Sequence, residues 1–403
     1  LRLQLTHAMP SVSGNMLRFS LAILAILALL ALIPATHAAV LPEERVDVLF
    51  KSYDGGGVTI DGPSVLVRKN FADKVSVTAN YYVDAVSSAS IDVVTTASPY
   101  TEERIQKSLS VDYLRGKTTY SAGYVDSTES DYIAKTTYVS VSQDMFGDLT
   151  TISFGFRRGE NEIYRNVRNT SGVLERDPAF AAEADTRGYS FSLTQVITRD
   201  LVATLAYDLM TDEGFLNSPY RSIRYADATA PMGYFFDPER YPSTRSSNAA
   251  SVRAKYFLPW RAALDGRYRF YTDTWGIVAH TAEVGYTQPM WGSWTFDVEY
   301  RYYTQDAADF YRDLFPRRNT LNFQARDKEM STFTAHTIGV GATWEFKIAR
   351  MPWLERGTVN ARFDHMIIQY DDFRDITAGG RAGTEPFYKL NANIIQLFVS
   401  AWF

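Results

Sequence analysis

Charged side chains recur at alternate positions through the C-terminal half of this chain. Asp208, Arg253, Lys255, Asp265, Arg267, Arg269, Glu283, Asp297, Glu299, Arg301, Glu345, Lys347, Arg362 and Asp364 alternate with apolar or aromatic neighbours, as in Trp294-Thr-Phe-Asp-Val-Glu-Tyr-Arg-Tyr302. Successive side chains of an extended chain point to opposite faces, so this spacing gathers the charge on one face. Opposite charges on adjacent strands can pair and stiffen a wall. The same surface, if it meets water, can orient polar solutes. The spacing leaves both readings open. Earlier segments carry small neutral groups at the equivalent positions: Ser76, Thr78, Asn80, Ser108, Ser110, Thr119, Ser121, Gly123, Ser140, Ser153, Gly155, Ser190, Ser192 and Thr194.

Other reactive residue types point to less. His280, His336 and His365 share the parity of apolar neighbours, such as Ala282 and Val284, Ile338 and Val340, or Phe363 and Ile367. They face away from the charged side, and no serine stands at a cross-strand position where it could serve one of them as a hydrolase nucleophile. Nor do they have metal-ligand spacing, so rim histidines are expected. The acidic runs Asp306-Ala-Ala-Asp309 with Asp313, and Asp371-Asp372 with Asp375, lack the ordered ligands and glycine of a calcium loop and read as solvated loop charge. Asp54-Gly-Gly-Gly57 reads as a tight turn rather than a phosphate cradle, since no helix follows it. No catalytic site, cofactor or metal is expected.

The elements that place these residues are strands. Sixteen alternating segments lie near 46–52, 58–68, 75–86, 105–115, 117–127, 131–144, 149–160, 187–197, 201–211, 246–257, 262–273, 278–288, 293–304, 332–347, 358–370 and 391–403. Short turns follow every even-numbered segment, and most odd-numbered ones feed long polar connections, around 88–104, 161–186, 212–245, 305–331 and 371–390. That asymmetry belongs to a transmembrane antiparallel β-barrel with short periplasmic turns and long extracellular loops. Trp260, Trp291, Trp294, Trp344, Trp353 and Trp402 gather at the short-turn end, where an interfacial girdle would put them. The first two segments are the weakest, because the first is short and Asp61-Gly-Pro63 interrupts the second. Fourteen strands with an N-terminal hairpin placed elsewhere is therefore the structural alternative.

Composition and termini agree with an exported all-β chain. Tyrosine (26) and phenylalanine (24) dominate the aromatics, which suits strands and membrane interfaces, and cysteine is absent, which excludes disulfides and thiolate sites. Lys plus Arg (41) nearly balances Asp plus Glu (46), which argues against nucleic acid as a partner. Arg18, the apolar run Leu21–Ile33 and Thr36-His37-Ala38 read as a secretory signal, giving a signal region 1–38 and a barrel over 39–403. Phe403 closes an alternating last segment, the form of the assembly signal read by the barrel-assembly machinery of Gram-negative bacteria.

Tyr53-Asp-Gly-Gly-Gly57, Gly62-Pro63, Asn80-Tyr-Tyr-Val-Asp84, Val86-Ser-Ser-Ala-Ser-Ile-Asp92, Ala97-Ser-Pro-Tyr100 and Glu102-Glu-Arg104 resemble a family of proteobacterial outer-membrane β-barrel proteins known as a domain of unknown function. The resemblance is specific over 46–165 and diffuse after that. It implies a barrel filling nearly all of the mature chain and carries no activity or ligand. The expectation is a bacterial outer-membrane barrel without catalysis, a passive or gated channel for small polar solutes. The alternatives are a structural sleeve for a periplasmic or surface partner and, behind it, a lipid-modifying enzyme. Outer-membrane lipid and lipopolysaccharide are the expected surroundings.

Overall fold

The computed structural model describes residues 40–88, 100–348 and 350–403. The signal region, and the part of the family resemblance at 89–99, lie outside the described residues. Sixteen strands form one closed antiparallel barrel: β1 (Arg45–Gly55), β2 (Val58–Phe71), β3 (Val75–Ser88), β4 (Tyr100–Arg115), β5 (Thr118–Thr128), β6 (Tyr132–Met145), β7 (Thr150–Arg168), β8 (Leu174–Val196), β9 (Leu201–Gly214), β12 (Thr244–Phe257), β13 (Ala263–Asp273), β14 (Val278–Met290), β15 (Trp294–Gln305), β16 (Phe333–Phe346), β17 (Arg356–Arg374) and β18 (Phe387–Trp402). Between β9 and β12, β10 (Ser222–Ala226) and β11 (Tyr234–Pro238) form a separate two-stranded sheet.

Each barrel strand corresponds to one of the alternating segments. The fourteen-strand alternative is excluded, because β1 pairs with β2 on one side and with β18 on the other, from Arg45↔Trp402 to Gly55↔Ala392. This seam leaves the wall without an edge, so backbone donors and acceptors are satisfied sideways around the whole ring, as a lipid-exposed wall requires. Pro63 is accommodated locally. It sits opposite Phe50 of β1, while on the β3 side the register passes from Asp61↔Ala85 to Ser64↔Tyr82 without a pair for the residue that has no N–H to donate. Beside it the backbone comes so near that a Cβ on Gly62 would lie 2.3 Å from the Val83 carbonyl oxygen. Gly56 and Gly57, at φ 60° and 77°, make the two-residue turn between β1 and β2, a geometry that favours glycine at both places.

The outer face carries an apolar belt. Leu109, Val139, Phe154, Leu205, Val284, Val298, Ile338 and Leu397 are about half exposed and lie around the barrel in one band. A contiguous apolar surface of this size is stable against acyl chains, not against water. Trp260, Trp291, Trp294, Trp344 and Trp353 project at its short-turn end. Trp402 does not join them: it faces the interior, stacked under the Arg356 guanidinium at 4.4 Å. The inner parity of β18 decides this, since Ile395, Leu397 and Val399 are the residues turned outward.

One expected loop is largely strand, and another gives up its ends to strands. The connection expected over 161–186 is a tall hairpin, with β7 running to Arg168 and β8 starting at Leu174, and β17 likewise runs on to Arg374. Beyond the belt the outer face turns polar, at Arg158 and Glu160 on β7 and at Asp185 and Arg187 on β8. Alternation disappears there because both faces are wet, while the backbone ladder continues. The remaining loops at this end, 215–243, 306–332 and 375–386, are packed. Trp275, Ile277, Ala308, Phe310, Tyr311 and Ala325 form one buried cluster, and Tyr370, Phe373, Leu390 and Ala392 form another. The apolar core of the molecule therefore sits at the mouth.

Candidate functional site: lumen wall and loop bridge

The register places the charged positions on one face, opposite the belt. Arg253 lies across from Arg267, Lys255 from Asp265, Glu283 from both Arg267 and Arg301, Glu299 from Gly339, and Arg362 from Gly341. Asp208 is on the same face, opposite Ser190 and Ala249. Three groups result. Asp265 receives Arg253 at 2.8 Å and Lys255 at 3.8 Å. Glu283 is shared by Arg301 at 3.2 Å and Arg267 at 3.6 Å. Arg362 reaches Asp364 at 2.8 Å, Asp297 at 3.1 Å and Glu299 at 3.4 Å. Arg269 lies 5.5 Å over the Tyr271 ring. Glu345 is exposed toward the short-turn end, and Lys347 lies past the end of β16, in the connection to β17.

Small residues make room for these groups. A Cβ on Gly339 would come within 2.1 Å of Asp364 Oδ1 and 2.5 Å of Arg362 Nη2, and one on Gly341 would come within 2.3 Å of Asp297 Oδ1. The two glycines of β16 thus form the floor on which the Arg362 cluster lies. The opposite wall is less neutral than the sequence pattern suggests. Asp84 accepts from Arg104 at 2.6 Å and from the Tyr82 hydroxyl, while Asp112 and Asp144 accept from Ser121 and Thr151, each at 2.6 Å. Their alternation was visible, but their acidic character was outnumbered by the serines around them. Toward the short-turn end a cavity of about 520 Å³ is lined by Leu49, Leu66, Asn80, Asn360, Gln396, Phe398 and Trp402, an apolar surface inside a polar lumen.

At the other end the long loops descend into the mouth. Inward positions there, Ser247, Ala249, Ala279, Gln305, Ala335 and Ala392, are buried, and the Gln305 amide donates to the Glu329 and Ser331 carbonyls at 2.9 and 2.8 Å. The loop after β9 is tied down by the Tyr220 hydroxyl, which donates to Asp131 and accepts from the Asn166 amide of β7 at 2.7 Å. It then pairs with the 306–332 loop through Ala226 N–H to Phe315 O at 2.8 Å and Phe315 N–H to Arg224 O at 2.9 Å. Arg224, fully buried, binds Asp313 and Glu385 together. Arg326 binds Asp313 at 3.1 Å and donates to the Arg374 carbonyl at 3.0 Å. Since β7 and β17 stand eight places apart in the ring of sixteen, these contacts link opposite sides of the mouth. They form a bridge.

Electrostatics explain its centre. Burial pulls the Arg224 guanidinium down, but Glu385 and Asp313 outweigh it and hold it above its ordinary range. Burial pushes the Glu385 carboxyl up, yet Arg224 outweighs this too and holds it below its usual value. At the anchored end burial pushes Glu129 and Asp131 up. Asp313 is therefore no solvated loop charge, and Asp375 is spent capping the short turn at Ile376–Ala378. Asp306 and Asp309 are exposed. Sequence reasoning missed Arg224, Glu385 and Arg326, which stand in separate polar loops. The aromatic density of Phe310, Tyr311 and Phe315 was the one signal that such a loop packs.

The histidines face outward. His280 Nδ1 bonds the Tyr268 hydroxyl at 2.6 Å, His336 Nδ1 the Tyr300 hydroxyl at 2.7 Å, and His365 Nδ1 lies 2.8 Å from Asn393 Oδ1. Two of the three thus repeat one tyrosine–histidine pair along the outer rim. Among the described residues no group of three or more His, Cys, Asp or Glu side chains is arranged to hold a metal ion.

A closed antiparallel barrel with an apolar belt outside and charge inside defines a transmembrane β-barrel of the outer-membrane type. The chain belongs to the DUF3570 family, described as protein of unknown function, which matches residues 91–372. The match begins within the stretch 46–165 over which the sequence resemblance is specific, leaves out its first part, and continues through the region where the resemblance is diffuse. No curated protein matches the chain. Among solved structures it is similar to a bacterial polysaccharide outer-membrane secretin, at 7% identity over 90% of this chain and 99% of that one, with a TM-score of 0.49. It is also similar to an anion-selective porin from Comamonas acidovorans, at 10% identity over 91% and 100%, TM-score 0.38. The outer-membrane protein opdK from Pseudomonas aeruginosa matches at 10% identity over 89% and 99%, TM-score 0.41.

Proposed function

We propose that this chain is a gated passage for small polar solutes in the bacterial outer membrane, with the loop bridge guarding its outer mouth. One observation carries the reading: inward charges of the wall remain open to water, from Lys255 near the short-turn end to Arg267 and Glu299 further up, with the Arg253, Lys255, Arg267 and Glu299 side chains 47, 57, 42 and 42% exposed. A barrel whose interior was filled by its own side chains would bury them. The passage works by position and charge, without catalysis. On this reading Phe403 serves the barrel-assembly machinery, and the rim faces lipid and lipopolysaccharide.

Purified protein in planar bilayers should give step-like conductance, and exchanging Arg267, Arg269 and Arg301 for glutamate should move ion preference toward cations. A silent barrel, or a conductance indifferent to those changes, refutes the passage. The packed bridge favours a second reading, a sleeve that encloses or docks a partner at a closed mouth. It predicts silence in the same experiment. A lipid-modifying activity would release fatty acid from phospholipid vesicles and lose it on replacement of His280, His336 or His365.

A further inference from the structure

The charges of the wall are unequal in number on its two halves. On β13 to β15, Arg267 and Arg301 share the single carboxylate of Glu283, and Arg269 beside them has no carboxylate partner among the described residues. On β15 to β17 the ratio reverses, with Asp297, Glu299 and Asp364 around the single Arg362. Ion pairs that only stiffened the wall would match one to one. Here each lobe keeps a surplus, and the surpluses have opposite sign. Arg301 and Glu299 are successive inward positions of β15, so the lobes adjoin, about 7 Å apart along the strand. Both edges of the junction are wet, with Arg301 37% and Glu299 42% exposed.

We propose that this wall selects small zwitterions, amino-acid-like or short-peptide solutes whose carboxylate meets the arginine lobe while their ammonium group meets the carboxylate lobe. The proposal rests on the passage reading and names its solute class. A simple anion or cation is attracted by one lobe and repelled by its neighbour, and a neutral solute gains from neither. Planar guanidinium forks suit a carboxylate, and several carboxylate oxygens suit the three donors of an ammonium group.

Uptake into proteoliposomes carrying the full chain tests this with four probes of similar size: diglycine, its anionic analogue N-acetylglycine, its cationic analogue glycylglycinamide and the neutral N-acetylglycinamide. Diglycine should enter about fivefold faster than the neutral probe. Arg267→Gln with Arg301→Gln should abolish that advantage and favour the cation, and Asp297→Asn with Glu299→Gln should abolish it and favour the anion. Diglycine entering no faster than a neutral probe that does pass overturns the selectivity and leaves the passage standing. Each measurement is repeated with Glu385→Gln, which loosens the bridge. If no probe enters even then, the passage is lost and the selectivity with it.

Discussion

The loop bridge and the lumen wall use the same pair of groups, guanidinium and carboxylate, in opposite surroundings. In the bridge Arg224 is 0% exposed and its partners Asp313 and Glu385 are 9 and 3% exposed. In the wall Arg253 and Asp265 are 47 and 27% exposed at a comparable separation. Buried charges have lost their hydration and depend on each other, so they hold one geometry. The wall charges are partly exposed, so they are screened and keep hydration, and each depends less on its partner. The difference separates charges locked in one geometry from charges that can rearrange.

The largest effect should come from breaking the bridge at its centre. Arg224→Ala leaves the buried Glu385 without its cation and Asp313 with Arg326 alone, and should cost the loops about 3–5 kcal/mol. Protease should then cut within 227–243 while the barrel still migrates as a folded species in unheated detergent gels. If barrel and loops are lost together, the two regions are one cooperative unit and the contrast fails. Next is Gly339→Val, which drives side-chain atoms into Asp364 and Arg362 and should cost about 1–3 kcal/mol in thermal unfolding. Little or no loss would mean that the Arg362 cluster simply moves aside.

A pH titration sharpens the contrast further. Glu385 is held below its ordinary 4.5 by Arg224, so its contribution is complete above that value and is lost as pH falls through the lower folded value. Glu129 and Asp131 are raised by burial, so the charged form is penalised, and the bridge gains as pH falls through their folded values. The bridge should therefore tighten on mild acidification and loosen only below about 4.5. The chain has no cysteine, so a single spin label introduced by Met232→Cys reports loop mobility cleanly. Steady loosening from neutral pH downward would contradict the Tyr220–Asp131 anchor. The smallest effect belongs to the wall: Arg253→Gln should change stability by less than about 1 kcal/mol in chemical unfolding, and a larger loss would make the lumen pairs structural.

Legibility followed the surroundings of each segment. Where one face meets lipid and the other water, as over Trp294–Gln305, alternation is enforced at every residue and the strand could be read directly. Where both faces meet water, as in the upper parts of β7 and β8, nothing enforces it, and strand passed for loop. Trp402 was read as part of the girdle from its place near a turn, although its parity already turned it inward. The wall charges were visible by parity, but their grouping was not, because which arginine shares which carboxylate depends on the register between strands and on the room left by Gly339 and Gly341.

By itself the sequence determined the kind of wall this chain builds, narrowed its strand number to sixteen or fourteen, and showed which residues turn toward lipid, because a two-sided environment writes a period of two into every strand that crosses it. Only the tertiary structure decided that β1 closes on β18, that Arg224 reaches Glu385 across 161 residues of chain while also holding Asp313, and that the loops meet over the mouth. Those contacts join segments far apart in the sequence, and the burial that makes the loop charges depend on one another exists only once the ring has brought them together.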